Sequence, residues 1–270
     1  MNSSQGNPSY KIVSLMALPQ WDDLAPDERA TFGLVDRKVA NLAGMSNQGV
    51  AAWSRSLHGI DLNKLPRIVQ LEHRLSNEMM TRSPIDALAP RTPDEIAVIH
   101  QAKRILGFNE PRGHRPLRER LEDVHAALSG TRTSIRSSSV LSTPDKLGKF
   151  VIFPDAKAIE PALKDIDRHI QANIDVSRAF TATVAMTALC NVHPFGDGNG
   201  RVSRIVFNAL LRAPGNEGPY IPLHELGRVS RAGFLIAMRL AQYRNEWRTL
   251  ADFLSEAISF VGTLDAKTRR

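Results

Sequence analysis

The chain has 270 residues, of which 42% are hydrophobic and 23% are charged, and its formal net charge is +7. This balance supplies a buried core and excludes a chain that is disordered or of low complexity over most of its length. The single cysteine, Cys190, excludes an internal disulfide and a cysteine-based zinc site, and it favours a reducing compartment. No apolar run is long enough for a membrane-spanning helix. The basic charge permits an anionic partner without choosing among nucleotide, nucleic acid and acidic protein.

Helical periodicity runs through most of the sequence. Apolar residues recur at spacings of three and four, which is the pattern of a helix with one buried face. The segments with this pattern are 23–42, 49–57, 65–80, 93–106, 158–173, 175–191, 201–212, 230–243 and 247–261. A mainly α-helical protein is therefore expected.

A break between two groups of helices is expected near residue 90. Several prolines interrupt the periodic pattern there, and the sequence from Thr92 to Glu95 is typical of a new helix start, with a capping residue, a proline and a capping-box glutamate. We therefore expect an N-terminal helical segment at 1–90, a core at 91–262 and a tail at 263–270.

A basic cluster lies in segment 107–120, which is rich in glycine, proline and arginine and predicts a loop that leads into a helix. Its arginines are Arg112, Arg115, Arg118 and Arg120. A nucleic-acid surface is one interpretation, but no aromatic residues alternate with the arginines, as a platform for base stacking would require. We favour a solvated loop and helix start.

Strand propensity appears in one place. The runs 137–141 and 149–153 are short and β-prone, and turn-forming residues separate them. This pattern predicts a β-hairpin with a longer loop. Two strands alone are only marginally stable, so the hairpin should lie against the helices.

The segment from His193 to Arg204 carries most of the chemistry. It reads His-Pro-Phe-Gly-Asp-Gly-Asn-Gly-Arg-Val-Ser-Arg and lies between two predicted helices. Its glycines allow backbone N–H groups to converge on one ligand, and the helix that follows presents its positive N-terminus. This combination predicts an anion cradle of the kind that binds phosphates.

The side chains of this segment suit a phosphate-containing substrate. Arg201 and Arg204 are three residues apart on the new helix and could face one polyphosphate. Asp197 offers the hard oxygen ligand that Mg²⁺ accepts alongside phosphates. His193 can accept a proton near neutral pH, whereas Phe195 fits no chemical role and is expected to anchor the loop in the core.

These residues resemble the signature HPFx(D/E)GNGRxxR of Fic-domain (Fido) proteins, and every specified position is matched. The resemblance covers about 95–262, and outside the motif it rests on pattern rather than on identities. It implies a Fic-type helical bundle in which the β-hairpin is the flap that docks a target segment. It also implies a protein adenylyltransferase, which moves AMP from Mg-ATP to a Ser, Thr or Tyr hydroxyl of a target protein or of itself.

The resemblance implies a role for each motif residue. His193 would deprotonate the attacking hydroxyl, and Asp197 would hold Mg²⁺ between the α- and β-phosphates. The residues that would cradle these two phosphates are Gly198, Asn199, Gly200 and Arg201. Arg204 would reach the γ-phosphate. The flap strand around Val151 and Ile152 would register the target by strand addition.

Many Fic proteins also carry an inhibitory helix with the pattern (S/T)xxxE(G/N), whose glutamate pairs with the second motif arginine. No Ser or Thr of this chain has Glu four residues later, and the nearest match is Ser54 to Gly59, with His58 in the place of Glu. Neutral His would bind Arg204 more weakly than Glu, and protonated His would repel it, so we expect inhibition of this type to be absent or weakened. An ordinary helix end capped by Gly59 is the alternative.

Two alternatives to adenylyl transfer stay open at this point. Some Fic proteins move UMP, phosphocholine or a phosphoryl group, and the motif does not fix the nucleotide base. A non-catalytic module that binds nucleic acid or protein would use the loop only as an anion site, although no known DNA- or RNA-binding signature is present. The expected partner is a target protein, and an inhibitory partner chain or a second copy of the chain is compatible with the sequence. With no recognisable N-terminal signal and no membrane partner expected, we predict a cytoplasmic location.

Overall fold

The structure is a computed structural model that describes residues 10–55, 91–108, 115–142, 150–213, 215–230 and 233–268. In these ranges the chain is mainly helical, with one small sheet. The α-helices are α1 (Pro26–Ala40), α2 (Gln48–Arg55), α3 (Thr92–Leu106), α4 (Leu117–Ser129), α5 (Ile159–Asn173), α6 (Arg178–Val192), α7 (Asn199–Leu210), α8 (Leu223–Val229), α9 (Gly233–Arg244) and α10 (Arg248–Thr268). The strands are β1 (Tyr10–Ile12) and β2 (Phe150–Ile152).

The predicted mainly α-helical class is confirmed, and each predicted helix in the described ranges is present. Most ends are shifted by a few residues, whereas α10 continues to Thr268, through most of the segment 263–270 that was expected to be a tail. Segment 107–120 leads into α4 as expected, while the short helix α8 was not predicted. The predicted helix at 65–80 and the expected break near residue 90 lie outside the described residues. The division at that point stays a prediction.

The core is organised around α6, which packs against α1, α5, α7 and α9. Nearly all of its side chains are buried, and a helix that is apolar on every side belongs in the centre of a fold. Phe180 on α6 lies edge-on to Trp21 and to Phe32 of α1, with ring centroids 5.4 and 5.5 Å apart. The C-terminal end of this fixed central helix carries His193.

The sheet contains one predicted and one unpredicted pairing. The Ser142 N–H donates to the Val151 carbonyl at 2.8 Å, and the Phe153 N–H donates to the Val140 carbonyl at 3.2 Å, which is the expected antiparallel arrangement of a hairpin. We call the paired segments 140–142 and 150–153 the flap. Along the other edge of β2, β1 pairs in parallel, with Lys11 opposite Val151. Both edges of β2 therefore have a partner.

None of the described helices combines the length and the apolar character that a membrane span needs.

Candidate active site

His193 directly follows α6 and adopts a left-handed backbone conformation, with φ 54° and ψ 62°. Its imidazole stacks on the Phe153 ring of the flap, with ring centroids 3.6 Å apart and planes 11° from parallel. Its Nδ1 lies 3.4 Å from the Cys190 carbonyl, which can only accept, so the ring proton belongs on Nδ1 and Nε2 is left as an acceptor. Burial lowers the pKa of His193 to about 4, so the ring is neutral at physiological pH.

The loop after His193 is braced from inside. Phe195 is fully buried, as expected of a core anchor. Its N–H donates to Asn199 Oδ1 and its carbonyl accepts from Asn199 Nδ2, both at 2.8 Å. The Asn199 side chain is therefore committed to closing the loop, which leaves its backbone N–H in the first turn of α7 for a ligand.

Gly198 forms the turn into α7 and needs to be glycine. Its φ is 82°, and a Cβ placed on it would lie 2.9 Å from Nε2 of His125, a residue of α4. That ring nitrogen donates to the Asp197 carbonyl at 3.0 Å, while the His125 ring packs on Phe195 with centroids 4.4 Å apart. His125 thus supports the loop from behind at the point where Asp197 turns outward.

We expect Gly198→Ala to lower both stability and nucleotide affinity. Left-handed backbone costs a residue with a Cβ about 1–2 kcal/mol, and the contact with His125 adds to this. Gly130→Ala is the matched control, since Gly130 has φ 72° and an added Cβ there would meet nothing within 4 Å. Chemical denaturation should show a larger loss for Gly198→Ala, and calorimetry should show weaker Mg-ATP binding for that variant alone. Equal losses in the two variants would contradict this account.

Two oppositely charged side chains, one exposed and one partly buried, lie at the N-terminus of α7. The Asp197 side chain is 96% exposed, and its Oδ2 lies 3.5 Å from Arg201 Nη2. Within the described residues no group of three His, Cys, Asp or Glu side chains could hold a metal ion. One exposed carboxylate beside the N-terminus of α7, where phosphate is expected to bind, nevertheless fits Mg²⁺, which keeps several waters and binds through few carboxylates together with phosphate oxygens.

Arg204, one turn further along α7, is already paired. Its guanidinium contacts the carboxylate of Glu95 on α3, with Nε 3.1 Å from Oε1 and 3.2 Å from Oε2. The Arg204 side chain is 13% exposed and that of Glu95 is fully buried. Tyr220 also donates from its hydroxyl to Glu95 Oε2 at 2.7 Å. Burial raises the pKa of Glu95, and Arg204 opposes this most strongly.

A glutamate thus pairs with Arg204 although the sequence lacks the inhibitory pattern. That pattern requires Ser or Thr four residues before Glu, and Arg91 occupies that place before Glu95. Glu95 was also expected to complete the capping box of its own helix. It turns instead toward α7, because the N-terminus of α3 is capped from elsewhere.

The cap comes from Glu225 of α8, which is buried. Its Oε1 accepts from the backbone N–H groups of Arg91 and Thr92, at 2.9 Å each, and from Ser54 Oγ of α2, also at 2.9 Å. This carboxylate therefore fixes the helix that carries Glu95. Of the residues predicted to resemble an inhibitory helix, only Ser54 can be placed, since His58 and Gly59 lie outside the described residues and stay predictions.

The basic cluster near α4 is occupied by carboxylates. Arg115 contacts Glu119 and Asp123, and Arg118 contacts Glu122 and Glu160. The buried Arg120 pairs with Asp167, while Arg112 lies outside the described residues. This pairing agrees with a solvated helix start and leaves little unpaired positive charge on the described part of the cluster.

The predicted motif residues lie together at the junction of α6 and α7, and four residues that sequence reasoning did not assign to the site surround them. These are Glu95, His125, Arg136 and Phe153. Phe153 could have been suspected from its place at the end of the flap strand. The other three act through contacts between distant parts of the chain, for which the sequence offers no local signal.

The family model for the Fic/DOC family matches residues 114–211. A search of curated proteins found no match. Among solved structures, a Fic family protein from Desulfovibrio desulfuricans G20 has 13% identity and a TM-score of 0.53, over 92% of this chain and 76% of the other. A Fic domain containing signaling protein from Bacteroides thetaiotaomicron VPI-5482 has 12% identity and a TM-score of 0.53, over 88% and 98%.

Fic-1 of C. elegans, residues 134–508, is similar to the same degree. It has 16% identity and a TM-score of 0.53, over 90% of this chain and 73% of the other. At such low identities these structures establish the fold alone, which is that of Fic-family structures. Residues 114–211 match the family model, so this part of the chain is a Fic/DOC family domain.

Proposed function

We propose that this protein is an adenylyltransferase that moves AMP from Mg-ATP to a hydroxyl of a protein target. The observation that carries the proposal is the juxtaposition of a neutral histidine, an exposed carboxylate and an arginine-bearing helix N-terminus within one loop. His193, Asp197 and Arg201 supply these groups, and the loop belongs to the Fic/DOC family domain. Membership of that family supports a transferase, and the choice of AMP rests on the complete motif.

His193 supplies the base. Its Nε2 accepts the proton as the target oxygen attacks the α-phosphorus of ATP, and the bond from the α-phosphorus to the bridging oxygen breaks so that pyrophosphate leaves. The base must be neutral beforehand, and the lowered pKa of His193 keeps it so. Stacking on Phe153 holds the ring beneath the flap, where the target segment would dock near Val151 and Ile152.

The helix α7 supplies the phosphate site. Its first N–H groups point along the helix axis at the position next to Gly198 and Gly200, and the Arg201 guanidinium adds a positive charge at the same end of the helix. Asp197 would hold Mg²⁺, which neutralises phosphate charge when it is bound. Phosphoryl-type transfer needs mainly positioning and charge neutralisation, and these residues are arranged to provide both.

The test is intact-mass spectrometry of the purified protein after incubation with Mg-ATP, alone and with a lysate or candidate target. We expect an added AMP on the protein or its target, and no adduct when His193→Ala is used. Parallel incubations with GTP, CTP and UTP identify the preferred donor. An adduct of a different mass would show that the transferred group is not AMP, and its mass would identify that group. The proposal would be wrong if wild type and the Glu95→Gln variant, in which Arg204 is released, both gave no adduct with any donor.

A further inference from the structure

Arg136 lies just before the flap and is only 8% exposed, yet among the described residues it forms no salt bridge with a carboxylate. Its guanidinium donates only to backbone carbonyls. Nε donates to His193 at 2.7 Å, and Nη1 donates to Ser138 at 2.8 Å. Nη2 donates to Pro154 at 2.5 Å and more weakly to Val192 at 3.3 Å. A buried arginine used in this way has a geometric task rather than an ion-pairing one.

These carbonyls belong to three parts of the molecule. Val192 is the last residue of the central helix α6 and His193 directly follows it, whereas Ser138 precedes one flap segment and Pro154 follows the other. The backbone N–H of Arg136 adds a fourth tie, to the Pro194 carbonyl at 2.8 Å. One side chain thus joins both ends of the flap to the residue that carries the imidazole.

We propose that Arg136 is a positioning residue, which fixes the His193 imidazole and the flap relative to each other. The inference rests on the proposed function, because it assigns His193 the role of base. The last carbonyls of a helix have no partner within the helix, and an arginine at that end satisfies them and interacts favourably with the helix dipole. The same contacts hold His193 in its left-handed conformation. Because Pro154 directly follows Phe153, the hydrogen bond to Pro154 also fixes the position of the Phe153 ring that stacks on the imidazole.

The charge of Arg136 also acts on His193. Burial is the main cause of the lowered pKa, and Arg136 lowers it further. Of the other groups nearby, the Cys190 carbonyl and the Asp197 carboxylate act in the opposite direction. The negative charge of Asp155, after the flap, raises the pKa of the Arg136 guanidinium against the effect of burial. Removal of the Arg136 charge should therefore raise the pKa of His193.

Two substitutions separate geometry from charge. Arg136→Lys keeps the charge but cannot reach carbonyls in three directions, and Arg136→Gln removes the charge as well. We expect kcat for transfer to fall about 10- to 100-fold in both, because small misplacements of a reacting group cost this much, while KM for ATP stays the same. A ¹⁵N NMR titration of the histidines should show a raised pKa for His193 in Arg136→Gln and a smaller change in Arg136→Lys.

Arg178→Lys is the matched control. Arg178 also donates to carbonyls at a helix end, those of Leu210 and Arg212 after α7, but far along that helix from the motif loop. The proposal is overturned if Arg178→Lys lowers kcat as much as Arg136→Lys, or if Arg136→Gln leaves both kcat and the pKa of His193 unchanged. If Arg136→Gln does not fold, the test depends on Arg136→Lys, in which kcat should fall while KM for ATP stays the same. The NMR titration needs no transfer, so it tests Arg136 even if the proposed function fails.

Discussion

We expect the Glu95→Gln variant to bind Mg-ATP about 10- to 100-fold more tightly than the unaltered protein. Hydrogen bonds to charged groups are worth about 1.5–3 kcal/mol each, and the Arg204 guanidinium already donates its hydrogen bonds to Glu95. A γ-phosphate therefore has to displace a carboxylate before it can use this arginine. Glutamine keeps the volume of Glu95 and an acceptor for the Tyr220 hydroxyl, while it removes the negative charge. Isothermal calorimetry with a non-hydrolysable ATP analogue measures the change directly.

The same substitution should affect stability in the opposite direction. Arg204 loses its carboxylate partner while it stays mostly buried, which lowers the stability of the protein without nucleotide. Mg-ATP should therefore raise the melting temperature of this variant by more than it raises that of the wild type. Glu225→Gln is the matched control, since Glu225 is equally buried but caps α3 instead of pairing with Arg204. It should lower the melting temperature without changing ATP affinity. Unchanged affinity in Glu95→Gln would show that phosphate does not compete for Arg204.

The second large effect is expected from His193→Ala, which should reduce the rate of transfer about 10²- to 10⁴-fold, the usual contribution of a general base. Affinity for Mg-ATP should change little, because the proposed phosphate site lies on α7 and its preceding turn. His169→Gln is the control for the loss of a buried histidine, since burial lowers the pKa of His169 to about 4 as well and its ring packs on Phe180 in the core. Single-turnover rates at saturating ATP make the comparison.

The dependence on pH gives an independent check on His193. A base with a pKa of about 4 in the folded protein is unprotonated at neutral and mildly acidic pH, so the rate should fall only as the pH approaches 4. An inflection near the ordinary histidine value would mean that the imidazole is not held as described. Measurements at low pH need a check that the protein is folded, because histidines with lowered pKa values destabilise it as the pH falls from their unfolded values toward 4.

Most of the fold and the centre of the site could be predicted, because their signals are local. Helices show their buried faces as a period in the sequence, and the residues from His193 to Arg204 are contiguous. Glu95 could not be assigned in this way, since its partner Arg204 lies 109 residues away and a local explanation, the capping box, was available for it. Arg136 left no signal either, because its partners are backbone carbonyls, which every residue type carries.

The sheet shows the same limit. The hairpin was predictable from two β-prone runs close together in sequence, but β1 has only three residues and its partner lies 140 positions later, as in the pairing of Tyr10 with Phe150. A strand this short carries no periodicity of its own, and its pairing depends on the surface that the rest of the fold presents.

Because β1 is paired with β2, it would compete with a target segment for the same edge of β2 if targets dock on the flap as proposed. A target segment that adds to the outer edge of β2 must first displace β1, which is supplied at the high effective concentration of an intramolecular segment. The apparent dissociation constant for the target is the intrinsic one divided by the fraction of molecules in which that edge is unoccupied. Under the proposed function, target selection would therefore depend on how easily β1 leaves β2, as well as on the residues around His193.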